Sequence, residues 1–258
     1  MSGLARLELV APAGFGAVHP GDELAQRVVD LLGREGLGLR DGDVVVFAQK
    51  VVSKSEGRLV RLDSVEPSPR AREIAARAGK DPRLVELILS ESREVLRVAP
   101  GVIVVEDCRG LVLANAGIDQ SNVEPDADGG DRALLLPQDP DASARRLRER
   151  LESLSGARLG VVINDSLGRA WRLGTTGTAI GVSGIAGLHD RRGESDLQGR
   201  ALQSTEVGHA DELAAAASAL MGQAAEGRPV VLVRGAAGPR RDGSARELLR
   251  PRDKDLFR

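Results

Sequence analysis

Short apolar runs alternate with helical patterns along most of the chain. Five runs rich in β-branched residues are too short for helices and end at Gly, Asp or Pro, so they predict buried strands at 44–47, 102–105, 111–113, 159–163 and 230–233. Helical spacing of apolar residues predicts helices at 24–32, 69–78, 82–91, 142–154 and 210–223. Because the two kinds of element are mixed throughout, the pattern predicts a mixed α/β (α+β) fold.

One long stretch interrupts this alternation. Residues 123–141 are rich in Asp, Gly and Pro and contain a single apolar run at 134–136. Such a composition predicts a long loop or a join between two lobes. We therefore expect one domain over residues 1–258, with a two-lobed arrangement as one form of it.

Composition then narrows the classes of function. The chain has 258 residues with 36 basic and 38 acidic side chains, and aromatic residues make up only 2% of it. Without a basic excess or rings for base stacking, general binding of nucleic acid is not expected. No apolar stretch approaches 18 residues and no signal peptide precedes the first strand, so no membrane association is expected. The single cysteine, Cys108, fits a reducing cytoplasm.

Lysine is scarce, and its placement is informative. Only Lys50, Lys54, Lys80 and Lys254 stand against 32 arginines, and the first two follow a predicted strand together with Gln49 and Ser53. Ligands of open α/β sheets bind at such strand ends, and lysine serves as a compact charge for phosphate. A solvated connection between two strands is the alternative interpretation of this segment.

Two further segments carry oxygen-rich side chains after strands. Residues 114–122 include Asp119, Ser121 and Asn122, which suit a hard cation or a nucleotide, although a simple Asx turn would also explain them. The predicted strand at 159–163 runs into Asp165 and Ser166, a pair suited to magnesium held against phosphate oxygens. The Gly/Thr run after it would let the backbone approach a ligand, and Trp171 between them is a candidate for the core.

A charged loop at 188–206 follows the Gly/Thr run. The loop includes Asp190, Arg192 and Glu206. His189, in the loop, and His209, just after it, lack partners at zinc-ligand spacing.

Common motifs for nucleotide binding and for nucleophilic catalysis are absent from the sequence. The chain has no Walker-type phosphate loop, no Rossmann glycine fingerprint and no nucleophile elbow. From the residues alone, the sequence indicates a magnesium-dependent enzyme acting on phosphorylated ligands.

Taken in order, four motifs resemble those of the coenzyme F420-0:L-glutamate ligase family. They are GDVVVFAQKVVSKSEGR, DPRLVELILSES, NAGIDQSNV and NDSLGRAWR, with ADELA near the end, and the resemblance covers about residues 7–234. It implies the two-lobed fold of that family, which is neither a P-loop nor a Rossmann fold, and a homodimer. It also implies GTP-dependent addition of γ-linked L-glutamate to F420-0 through an acyl phosphate, giving F420-1 or longer products, GDP and phosphate.

The resemblance also assigns roles to residues. Two divalent cations, Mg²⁺ or Mn²⁺, are implied, with K⁺ as a further candidate. The implied metal ligands are Asp119, Asp165, Ser166 and Gln223. The implied nucleotide contacts are Phe15, Gly16, Ala17, Val18, Gln49, Lys54 and Asn122. The catalytic candidates are Lys54, Asp165 and Glu206, of which Glu206 follows from its type and place alone.

The chain departs from the family pattern at two places. Residues 14–17 read Gly-Phe-Gly-Ala where relatives often have Gly-Leu-Pro-Glu, and Gln49 replaces a small hydroxyl residue. We expect no fused nitroreductase-like domain. Two other functions remain open at this point, a magnesium-dependent phosphatase or nucleotide hydrolase that uses the same carboxylates, and a non-catalytic module that binds a nucleotide or F420.

Overall fold

The computed structural model describes residues 4–121, 123 and 129–255 of the chain, and these residues form twelve strands and six α-helices. The strands are β1 (Glu8–Val10), β2 (Val44–Ala48), β3 (Leu59–Arg61), β4 (Ser92–Ala99), β5 (Val102–Asp107), β6 (Val112–Ala114), β7 (Arg132–Leu134), β8 (Gly160–Arg169), β9 (Arg172–Ser183), β10 (His189–Asp190), β11 (Glu206–Val207) and β12 (Val230–Arg234). The helices are α1 (Leu24–Arg34), α2 (Gln49–Ser55), α3 (Pro69–Ala78), α4 (Pro82–Ser90), α5 (Pro140–Ser155) and α6 (His209–Met221). The predicted mixed α/β class is confirmed.

A five-stranded sheet forms the centre of the fold, in the order β1-β12-β2-β8-β9. Strands β2 and β8 run parallel, and the other neighbours in this sheet are antiparallel. In the parallel pair, Val44 lies opposite Gly160 and Ala48 lies opposite Asn164. Because parallel strands point the same way, both carboxyl ends reach one edge of the sheet, where ligands of α/β proteins bind.

Helices cover both faces of this sheet. Helices α1 and α5 pack on one face through a core that includes Val28 and Leu151, and α6 packs on the other through a row of alanines. A side chain at Gly177 would lie 2.4 Å from the Ala214 carbonyl oxygen, and one at Gly181 would lie 2.4 Å from that of Pro140. The lack of a side chain at these two glycines of β9 therefore allows α6 and the start of α5 to pack closely on the strand. The sequence had instead suggested that the Gly/Thr run lets the backbone approach a ligand.

The segment between α2 and α5 has a core of its own. It contains α3, α4, the β4-β5-β6 sheet and the β3-β7 pair around Ile88, Ile103 and Val105. The Ser68 hydroxyl caps α3 and the Asp81 carboxylate caps α4, each followed directly by proline, which explains why both predicted helices begin where they do. A join of lobes near 123–141 stays a prediction, since residues 124–128 lie outside the described part of the chain.

The structure decides two local questions that the sequence left open, the conformation of the segment after β2 and the location of Trp171. The segment after β2, for which a solvated connection remained possible, is helix α2, with Val51 and Val52 buried in the core. Trp171 does not fill the core, because it stands 87% exposed at the tip of the β8-β9 hairpin.

Among the described residues, no helix is both long enough and apolar enough to cross a bilayer.

Candidate functional site

A cleft of about 610 Å³ opens at the carboxyl ends of β2 and β8. Six segments that are far apart in sequence line it: residues 16–18, helix α2, residues 119 and 121, the end of β8, Thr175 of β9, and residues 221–229. They meet because β2 lies between β8 and β12 in the sheet, and the Ala48 N–H donates to the Pro229 carbonyl over 2.8 Å. The cleft therefore sits where the parallel pair predicts a ligand.

Helix α2 supplies the cationic wall of the cleft. Lys50 and Lys54 are four residues apart and share one face of the helix. Gln49, only 2% exposed, lies beside them, and the Ser53 hydroxyl donates to its Oε1 over 2.9 Å. Its Nε2 is buried with no hydrogen-bond partner among the described residues. A buried amide donor without a partner is costly, so its place in the cleft wall points to an acceptor on a ligand.

Strand β8 supplies oxygen atoms to both faces of the sheet. Side chains alternate along a strand, and Ile163 belongs to the α1/α5 core while Asn164 contacts Met221 at the end of α6. Asp165 therefore shares the face of Ile163, and Ser166 shares the face of Asn164. The Asn164 Oδ1 is buried without a hydrogen-bond partner in the described part of the chain.

The two carboxylates of the cleft have different environments. Burial raises the pKa of Asp165 to about 6, against a hydrogen bond from the Ser166 N–H and with a contribution from the negative charge of Asp119. Burial also raises the pKa of Asp119, but hydrogen bonds from Lys50 and Ser121 outweigh it and leave that pKa below its ordinary value. The negative charge of Asp119 contributes to the raised pKa of Asp165, which indicates that the two carboxylates lie near each other.

Asp119 is fixed by its backbone as well as by its side chain. Its N–H and carbonyl both pair with Leu134 over 3.0 and 2.8 Å, directly after a 3-10 turn at Asn115–Gly117. Its Oδ2 lies 2.6 Å from the Lys50 Nζ, and its Oδ1 accepts bonds from the N–H and the hydroxyl of Ser121. The local Asx turn proposed as an alternative is thus present, but it holds the carboxylate in the cleft.

The donor set of the cleft fits a hard divalent cation. Among the described residues, no group of three or more His, Cys, Asp or Glu could hold a metal ion by itself. Mg²⁺ is commonly held by one or two carboxylates together with waters and substrate phosphates, so a complete protein cage is not required. Asp119 and Asp165 are the carboxylates available for such an ion, whereas the Asn164 Oδ1 faces β9 on the other side of β8, 2.6 Å from where a Cβ on Gly177 would lie.

Most of the residues chosen from the sequence come together in this cleft. Its lining includes Gly16, Ala17, Val18, Gln49, Lys54, Asp119, Asp165, Ser166 and Gln223. Phe15 instead packs in the core beneath the loop and anchors it, while the Arg27 guanidinium donates to the Ala17 carbonyl over 2.7 Å. Glu206 lies on β11, 3.3 Å from Arg192, and does not line the cleft. Asn122 lies outside the described residues.

Some lining residues were not selected from the sequence. Residues 224–229 line the cleft and bring Glu226 and Arg228 to it, and Thr175 enters from β9. The Ala224 N–H donates to the Glu226 carboxylate over 2.8 Å, which closes this loop on itself. No local pattern marks the loop, because it reaches the cleft only through the pairing of β12 with β2. Asn164 did carry a signal, since it directly precedes Asp165 at a strand end.

Comparison with known proteins gives one consistent result. A family model described as F420-0:Gamma-glutamyl ligase matches residues 14–235. The chain is similar to the coenzyme F420:L-glutamate ligase of Methanothermobacter thermautotrophicus, with 48% identity over 254 residues that cover 98% of this chain and 99% of that protein. It is also similar to the protein of that name from Methanopyrus kandleri, with 46% identity over 265 residues covering 100% of both.

Proposed function

The chain belongs to the F420-0:gamma-glutamyl ligase family, and we propose that it uses GTP to join L-glutamate to coenzyme F420-0. Membership makes it a ligase that forms carbon–nitrogen bonds in the synthesis of F420. The proposed products are γ-glutamyl F420-1 or longer forms, GDP and phosphate. GTP as the nucleotide, the acyl-phosphate route and the residue roles below are the parts of this proposal that experiment has to test.

One observation carries the proposal: lysines, carboxylates and a buried amide donor without a partner meet in a single cleft. Lys50 and Lys54 suit the phosphate oxygens of a nucleotide, and the Gln49 Nε2 offers them a hydrogen bond. Asp119 and Asp165 line the same cleft, and the Asp119 Oδ2 lies 2.6 Å from the Lys50 Nζ. Phosphoryl transfer depends mainly on positioning and charge neutralisation, and this arrangement supplies both without a protein nucleophile.

The reaction divides into two steps. The γ-phosphoryl group of GTP passes to the terminal carboxylate of F420-0, which gives an acyl phosphate and GDP. The amine of L-glutamate then attacks the acyl carbon, forms the amide bond and releases phosphate and a proton. In this scheme Lys54 holds the phosphoryl oxygens, and the loop at residues 16–18 places its backbone against the nucleotide.

Asp119 and Asp165 would hold one divalent cation, and Ser166 with Gln223 would serve a second on the opposite face of β8. Mg²⁺ or Mn²⁺ bound there would offset negative charge on the phosphate oxygens. A bound K⁺ remains a further candidate. Glu206 stays outside this proposed site, because its side chain pairs with Arg192 away from the cleft.

Incubation of the protein with F420-0, L-glutamate, GTP and Mg²⁺, followed by mass spectrometry, tests the proposal. We expect the coenzyme to gain one or more glutamyl residues, with one GDP formed for each. Tandem mass spectrometry of the product reports the linkage, and ATP in place of GTP reports nucleotide preference. Hydroxylamine added during turnover should yield the hydroxamate of F420-0 if an acyl phosphate forms.

The same assay separates the two competing functions. Phosphate release that needs neither glutamate nor F420-0, with no mass gain, would identify a nucleotide hydrolase that uses Asp119 and Asp165. Tight nucleotide or F420 binding without any turnover would identify a binding module. Either result, obtained with protein that binds GDP and a divalent cation, would refute ligation by this chain.

We also propose a homodimer that works in the cytoplasm. The β8-β9 hairpin and the loop after β10 expose large apolar side chains, with Leu173 at 98% and Leu197 at 99% exposure. Exposed apolar side chains on protruding segments are typical of protein contact surfaces. Light scattering after size exclusion should give twice the mass of the chain, and Leu173→Asp should shift it towards the monomer if the hairpin carries the contact.

A further inference from the structure

Lys50 occupies the position that a cation at Asp119 would need. Its Nζ lies 2.6 Å from the Asp119 Oδ2, and it also donates to the Ser121 hydroxyl over 2.8 Å. The other carboxylate oxygen, Oδ1, accepts the N–H and the hydroxyl of Ser121 at 2.9 and 2.7 Å. Both oxygens of Asp119 are therefore engaged by groups of the protein itself.

The distances make the ammonium and a metal ion alternatives. Mg²⁺ sits 2.0–2.1 Å from its oxygen ligands. A cation at that distance from the Asp119 Oδ2 would compete for the space of the Lys50 Nζ, which lies only 2.6 Å from the same oxygen. Two positive charges so close repel strongly in a partly buried site, so one must leave before the other binds.

The second place available to Lys50 lies along its own helix. Lys50 and Lys54 share the face of α2 that lines the cleft, and the Lys50 side chain keeps 28% exposure, so it can rotate without opening the core. On that side the anionic partner would be the phosphate chain of a nucleotide. Lysine suits this exchange because its ammonium is a compact charge on a flexible stem.

We propose that Lys50 holds the place of the divalent cation at Asp119 and moves to the phosphates when a nucleotide enters. This inference rests on the proposed function, since it takes Asp119 as a cation ligand and a nucleotide as the anion. The consequence is coupling: a nucleotide that draws Lys50 away uncovers the carboxylate, so each ligand strengthens binding of the other. Such coupling is reciprocal in free energy.

The test compares Mn²⁺ binding to the full chain with and without Lys50. Lys50→Met removes the charge and keeps most of the length, and Lys54→Met is the matched control, a cleft lysine one helical turn away. Binding of Mn²⁺ without nucleotide is followed by the electron paramagnetic resonance signal of the free ion. We expect Lys50→Met to bind Mn²⁺ about tenfold more tightly than the unsubstituted protein, and Lys54→Met to change this affinity much less.

Two further measurements distinguish an exchange of Lys50 for the cation at Asp119 from the general effect of removing one positive charge from the cleft. Lys50→Arg retains the cation and should keep the weaker Mn²⁺ affinity of the unsubstituted protein. A fluorescent GDP analogue, titrated with and without Mn²⁺, should show a smaller enhancement by Mn²⁺ in Lys50→Met than in the unsubstituted protein. Circular dichroism before each titration confirms that the variants are folded.

The possible failures are distinguishable. If Mn²⁺ binds to the unsubstituted protein in a manner that depends on Asp165, but Lys50→Met binds it equally or more weakly, the exchange is refuted and the cation site stands. If Lys50→Met does not bind Mn²⁺, or binds it equally well with and without Asp165→Asn, the cation site of the proposed function is refuted and this inference with it. A tighter Mn²⁺ complex of Lys54→Met, equal to that of Lys50→Met, would also refute a specific role for Lys50.

Discussion

Two regions of the molecule bury polar groups, and they do so in opposite ways. Beside β4 and β5, Glu91 accepts hydrogen bonds from Arg58 and Arg109, both at 2.7 Å, and the fully buried Asp107 accepts a third from Arg109. In the cleft, the buried Gln49 Nε2 and Asn164 Oδ1 have no hydrogen-bond partner among the described residues. We call the first group, residues 58, 91, 107 and 109, the arginine clamp.

The clamp binds parts of the chain to each other. The Nε of Arg58 donates to the Leu136 carbonyl and that of Arg109 to the Pro137 carbonyl, both over 2.8 Å. It thereby ties the strands after α4 to the segment that leads into α5. A buried charge network whose members are paired is a structural device, whereas the Gln49 Nε2 is a buried donor in the wall of the cleft that a ligand would satisfy.

The largest effect on stability is expected in the clamp. Arg109→Met leaves Glu91 and Asp107 buried with one cationic partner fewer, so the free energy of unfolding should fall by about 3 kcal/mol. Urea unfolding followed by circular dichroism measures it. The matched control is Arg146→Met, which breaks an exposed ion pair with Glu56 and should cost less than about 1 kcal/mol. Equal losses in the two variants would contradict a structural role for the clamp.

In the cleft, Asp165→Asn should affect activity and leave the fold intact. If Asp165 holds the proposed cation, its loss should lower kcat/KM for ligation by more than about 100-fold. The control Asp63→Asn removes an exposed carboxylate paired with Arg61 outside the cleft, and should keep activity. Retained ligation by Asp165→Asn, measured by mass gain of F420-0, would remove Asp165 from the site.

The pH dependence of stability should show that ionised Asp165 destabilises the apo fold. Burial raises its pKa to about 6, so the folded state holds this proton more tightly than the unfolded chain does. Its contribution to stability is full below about pH 4 and is lost as the pH rises through 6. With EDTA present, Asp165→Asn should exceed the unsubstituted protein in stability by on the order of 2 kcal/mol at pH 7.5. That difference should vanish near pH 4, and a difference independent of pH would contradict the assignment.

The smallest effect is expected at Gln49. Gln49→Leu removes the buried amide donor without a partner, so GDP affinity should fall about tenfold, equivalent to about 1.4 kcal/mol. The free energy of unfolding should change by only about 1 kcal/mol, because an unpaired donor disappears while the Ser53 hydroxyl loses its acceptor. Titration of a fluorescent GDP analogue measures the affinity. Ser53→Ala, which frees the Gln49 amide without removing it, should weaken GDP binding less than Gln49→Leu does.

Local elements were predictable wherever neighbouring residues dominate. The buried strands at 44–47 and 230–233 and the proline-initiated helices at 69–78 and 82–91 appear nearly as predicted. Helix α2 was not recognised, because its seven residues are too few for a clear helical period and it is stabilised by burial of Val51 and Val52. The short pairs β3-β7 and β10-β11 have no local signature, since each depends on a partner distant in sequence.

Candidate chemistry was predictable residue by residue, and its assembly only in part. Asp119, Asp165 and Lys54 stood out by type and by position at strand ends, and all three line the cleft. Glu206 was chosen for its type and its place near the end of the charged loop, and it lies elsewhere, on β11. The contact of Lys50 with Asp119 joins residues 69 positions apart and had no signal in either motif.

The sequence by itself determined the class of fold, the family, and the kinds of group available for chemistry, because these follow from short-range periodicity and from motifs in order. The tertiary structure alone decided which of these groups meet. The parallel pairing of β2 with β8 and the insertion of β12 beside β2 bring residues 49, 165 and 223 to one edge of the sheet. The pairing of Asp119 with Leu134 fixes the backbone of residue 119, which lines the same cleft. Such pairings are fixed by burial of both sheet faces and by backbone hydrogen bonds between distant segments, which no short window of sequence contains.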